Sequence, residues 1–60
     1  MGILRETIRP SSDLRNKYPE ISKSLQLKDE AAIITVNGRG DTVSLGYNTY
    51  NMLKSKIELL

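Results

Sequence analysis

Sixty residues allow one domain, 1–60, and a chain of this size buries only about 60% of the surface its unfolded form exposes. With no Cys and no His, disulfides and the usual metal sites are nearly closed as sources of extra stability, so association, most simply a homodimer, is the expected help. A net charge of +2 is too mild to announce nucleic-acid binding by itself, and Arg5, Glu6 and Arg9 stand where the apolar region of a secretory signal would run. The expected compartment is therefore the cytoplasm, with no membrane partner.

Ile3 to Arg9 carries Ile3, Thr7 and Ile8, is stopped by Pro10 and reads as a strand. Ser11 and Ser12 then offer helix N-caps, and Asp13 suits a first turn. Leu14, Tyr18, Ile21 and Leu25 form one apolar stripe, interrupted by Pro19. Proline disfavours helical geometry at the residue before it. The pattern predicts a short helix to about Lys17 and a second beginning at Pro19, both facing one core.

Ala31 to Val36 is a continuous, β-branched run fit for a strand buried on both faces. Asn37-Gly38 is a strong hairpin signal, Gly40 a further permissive position, and Asp41 to Leu45 alternates as the outgoing strand. Arg39-Gly40-Asp41 spells an adhesion tripeptide, but without a secretory signal it reads as a chance match. Tyr47, Tyr50, Leu53, Ile57 and Leu60 mark the apolar face of a last helix. The expected class is α+β: strand, helix, helix, strand, strand, helix, as a small antiparallel sheet with helices packed on it.

Enzymatic work is not expected, because His and Cys are absent and, among the carboxylates, only Asp29 and Glu30 are adjacent. The mixed run Lys28-Asp29-Glu30 reads as a solvated cluster. No catalytic residue, metal ligand or cofactor is expected. Tyr18, Tyr47 and Tyr50 fall on apolar stripes and read as core rather than as a stacking platform for bases. The start of the first helix carries more. Free backbone N–H groups and a positive dipole end suit phosphates. Ser11, Ser12 and Arg15 border that end, and Arg9 lies just before it. The residues alone leave two readings open, a DNA-contacting helix start or a capped helix with surface arginines.

"IRPSSDLRNKYPEIS", Ile8 to Ser22, closely resembles the opening of the prevent-host-death (Phd/YefM) family of antitoxins. "IITVNGRGD" is similar to the family's hairpin and "YNTYNMLKSKIEL" to its closing helix. The resemblance implies a homodimeric antitoxin of a type II toxin–antitoxin system that binds operator DNA and represses its own operon. A C-terminal extension, absent or truncated here, would neutralise a toxin, either a RelE-class ribonuclease or a Doc-type kinase. Arg15 carries over as the main DNA-reading residue, with Ser11, Ser12 and Asn16 beside it; Arg9 and Lys17 flank them on the same segment. Val36 stands where the family commonly has a basic residue, and Arg39 is the candidate substitute. Ile57, Leu59 and Leu60 would begin the toxin-binding segment. The alternative is a dimeric protein-interaction module that holds a toxin without a DNA role.

Overall fold

A computed structural model describes residues 4–58. The chain runs β1 (Arg5–Pro10), α1 (Ser11–Lys28), β2 (Glu30–Val36), β3 (Arg39–Leu45) and α2 (Tyr47–Glu58). The three strands form one sheet in the order β1-β2-β3. β1 is parallel to β2, and β2 is antiparallel to β3. The sheet is thus mixed, not antiparallel as the sequence pattern suggested. A helix joins β1 to β2, and a helical crossover returns the chain to the same end of the sheet, so the second strand must run with the first.

α1 is two helical segments joined across a kink at Lys17, whose φ/ψ of −130° and 25° are non-helical, so the interruption falls where the sequence placed it. The first segment ends at Lys17, and the second carries Pro19 in its first turn, where a missing N–H costs nothing. The kink changes the phase of the apolar stripe. Ile21 and Leu25 are buried against Ala32 and Ile34, and Leu14 packs partly on the same cluster, whereas Tyr18 is left exposed.

Asn37 and Gly38 both take positive φ, 53° and 77°, as a two-residue hairpin turn with right-handed strand twist requires. Val36 then pairs with Arg39, so the outgoing strand starts before Asp41. The register shifts between Ile34 and Thr35, leaving Asp41 as the extra residue of a bulge. Arg39-Gly40-Asp41 consequently lies within β3 rather than on a free loop tip.

The junction between α1 and α2 is polar. Asp29 ends α1 in the left-handed region, at φ 51° and ψ 49°. Its Oδ1 accepts a hydrogen bond from the Thr49 hydroxyl at 3.2 Å, and Thr49 is buried. Glu30, read above as solvated, is also buried, within 4.0 Å of the Arg5 guanidinium. β2 is the central strand, and its first residue is drawn in with it. Tyr47, Tyr50 and Ile57 of α2, expected on a core face, are exposed, while Thr49 is buried and Leu53 half-buried.

Candidate nucleic-acid interface

The N-cap of α1 is Pro10, in extended geometry (φ −71°, ψ 154°), with no side-chain capping hydrogen bond. Ser11 and Ser12 are not caps but the first two helical residues, both exposed. Proline fixes the approach yet has no side-chain acceptor, so the first-turn amides keep their donors for an external acceptor. A helix start in this state combines free N–H groups with the positive end of the helix dipole.

Arg15 lies four residues from Ser11 and three from Ser12, which places these side chains on neighbouring rows of the helix surface. Arg15, Asn16 and Lys17 are all exposed. The kink at Lys17 ends this first segment, so the exposed set sits on less than two full turns. Arg9 differs from the others. Its guanidinium is 3.6 Å from the Asp13 carboxylate, across the strand-to-helix corner. Part of its charge is already answered inside the chain. Asp13 as a partner escaped the sequence reading, although opposite charges four residues apart were the available signal.

The strand register decides where Arg39 belongs. Pro10 pairs with Thr35, and Thr35 with Gly40, so the hairpin turn leaves the sheet at the end where β1 passes into α1. Arg39 is exposed there, beside exposed Val36. Arg9, Ser11, Ser12, Arg15 and Arg39 therefore come to one end of the molecule from three elements. Asp13 and Asp41 are the acids of this end, and the bulge sets Asp41 outside the paired register.

The hollow between α1 and α2 is lined by Gln26, Asp29, Gly46, Tyr47, Asn48 and Thr49; its carboxylate, Asp29, already accepts the Thr49 hydroxyl. Among the described residues no group of three or more His, Cys, Asp or Glu is placed to hold a metal. No helix among them is long and apolar enough to cross a membrane. Of the segment expected to bind a toxin, Ile57 is on exposed α2, while Leu59 and Leu60 lie outside the described residues.

A small mixed sheet with a kinked crossover helix, its polar, basic helix start left open, defines a small α+β domain. The fold is shared with a chain of the toxin–antitoxin complex RelBE2 from Mycobacterium tuberculosis, with a TM-score of 0.80 and 23% sequence identity. The match covers 88% of this chain and 58% of that one, so the present chain spans little more than half of its structural neighbour's length. No protein-family model and no curated protein sequence matches the chain.

Proposed function

We propose that this chain is the DNA-binding and dimerisation domain of an antitoxin from a type II toxin–antitoxin pair. As a homodimer it binds its own operator and represses transcription, with no enzymatic activity and no cofactor. The observation that carries the DNA role is the uncapped start of α1, with Ser11, Ser12 and Arg15, at the same end of the sheet as Arg39 of the hairpin. Serine hydroxyls and first-turn amides take phosphates, and Arg15, with Asn16 beside it, reaches base edges in the major groove. Lys17 and Arg39 add phosphate contacts, and Arg39 stands in for the basic side chain missing at Val36. The shared fold with a chain of a toxin–antitoxin complex, together with the antitoxin-like motif from Ile8 to Ser22, supports the biological setting.

A dimer carries two such helix starts, so the operator is a palindrome whose half-site spacing matches their separation. Titration of that palindrome at fixed salt tests the assignment: Arg15→Ala should cost about 1–3 kcal/mol and relax base preference, while Arg39→Ala should lower the salt slope by about one. Unchanged affinity and specificity for Arg15→Ala would sink it.

The exposed apolar side of α2 favours a second reading, a protein-interaction module in which Ile57 and the residues after it hold a toxin without DNA. Salt separates the two. Phosphate binding weakens linearly on a log-log plot as salt rises, whereas an apolar helix interface responds much less. A RelE-class ribonuclease or Doc-type kinase encoded immediately downstream would identify the partner.

A further inference from the structure

The hairpin turn stands clear of the body of the domain. Asn37 and Gly38 both hold positive φ, and a Cβ placed on Gly38 would meet no atom within 4 Å. Val36, Asn37, Gly38 and Arg39 are all exposed. Among the described residues neither the Asn37 side chain nor the Gly38 N–H has an internal hydrogen-bond partner, so both keep their donors for an outside acceptor. Strand geometry places this tip relative to α1. Thr35 pairs with Pro10, one strand away at about 5 Å, and Asn37 lies two residues further along the chain, which carries the tip about 7 Å past the point where α1 begins.

The major groove of B-DNA is about 12 Å wide and the minor groove about 6 Å. With the start of α1 in the major groove and Arg39 on the phosphates that border it, the tip overhangs the adjoining minor groove. Only a slender element enters there. The two-residue turn is slender, because Gly38 has no side chain and Asn37 carries a short one, and the apolar Val36 at its base suits the deoxyribose walls. Chemistry then selects the sequence. A·T and T·A pairs both present only acceptors in the minor groove, adenine N3 and thymine O2, whereas guanine adds the N2 amino donor. The Asn37 amide and the Gly38 N–H donate to such acceptors, and they would meet the guanine amino group donor to donor. The positive charge of Arg39 favours the same choice, since a narrow A·T groove carries the more negative potential.

We propose that the Asn37-Gly38 tip enters the minor groove beside the α1 site and selects A·T pairs there. The inference rests on the DNA-binding reading above and adds a second, flanking position of sequence choice. The probe is a duplex selected by the full chain from a randomised library, rebuilt with A·T, G·C, inosine·C or diaminopurine·T pairs at its flanks and titrated at fixed salt. Against A·T, G·C flanks should weaken binding about tenfold, the scale of one wrong pair. Inosine·C, which lacks the N2 amino group, should bind like A·T, and diaminopurine·T, which adds that group, like G·C. Asn37→Gly, which keeps a turn of positive φ, should level the flanks and retain the preference for the centre, while Arg15→Ala should do the reverse. If no duplex is selected, the DNA-binding reading itself fails. If one is selected but inosine·C behaves like G·C, the flank is read in the major groove and the tip proposal alone is overturned. Equal affinity for every flank, or a flank preference undiminished in Asn37→Gly, overturns it as well.

Discussion

Ile33 and Ile34 are neighbours in one strand, chemically identical, and they face different surroundings. Ile34 is buried with Ile21, Leu25 and Ala32 under α1, whereas Ile33 lies on the open side between exposed Ile8 and Val43. The single chain completes one side of its sheet and leaves the other apolar and bare. The contrast separates what this sequence does alone from what it does in company. Residues of the covered side act within one chain at any concentration, whereas those of the open side would act through a second molecule if the chain associates as proposed.

The largest effect expected from breaking that contrast is at Ile21, the most deeply buried of the large apolar side chains. Ile21→Ala should cost about 2–5 kcal/mol in urea denaturation, and the loss should be the same at every protein concentration. Val43→Ala on the open side should cost about 1–2 kcal/mol through lost burial against the second copy, with a thermal midpoint that falls on dilution, as association requires. A loss near zero at all concentrations would place Val43 in water.

Thr49 sharpens the boundary between the two classes. It is buried and donates to Asp29, yet it belongs to α2, whose apolar side is exposed. Thr49→Val should cost about 0.5–1.5 kcal/mol without concentration dependence, which would assign the start of α2 to the single-chain interior. The smallest change is expected at the start of α1, the proposed DNA end, which belongs to neither face. Asp13→Asn removes the partner of Arg9 and should lower stability by about 0.3–0.5 kcal/mol. In operator titrations it should tighten binding, because the freed guanidinium becomes available to phosphate. Weaker binding would show that Asp13 positions Arg9 rather than restraining it.

Much of the secondary structure was legible in residue order. Pro10 before two serines marked the start of α1, Pro19 marked its interruption, and Asn37-Gly38 marked the hairpin; each acts through its own backbone preferences, which are local. The grouping of the candidate residues was legible to the same degree. Arg15, Ser11 and Ser12 sit together because one helical turn puts them together. The role of Pro10 as N-cap was not legible, since the serines beside it are the commoner caps.

The sequence by itself determined which segments are helices and strands, where the tight turn falls and which polar groups crowd the first turn of α1. Tertiary structure alone decided that β1 runs parallel to β2, that Arg39 lies at the end of the sheet where α1 starts, and that Ile8, Ile33 and Val43 line up on an uncovered face. It also took Tyr18, Tyr47 and Tyr50 out of the expected core. The reason is physical: an apolar stripe states that a side chain prefers burial, but which neighbour buries it depends on strand register and helix phase. Those are set by contacts between residues far apart in the chain, and a one-residue shift in either sends the same side chain to the opposite side.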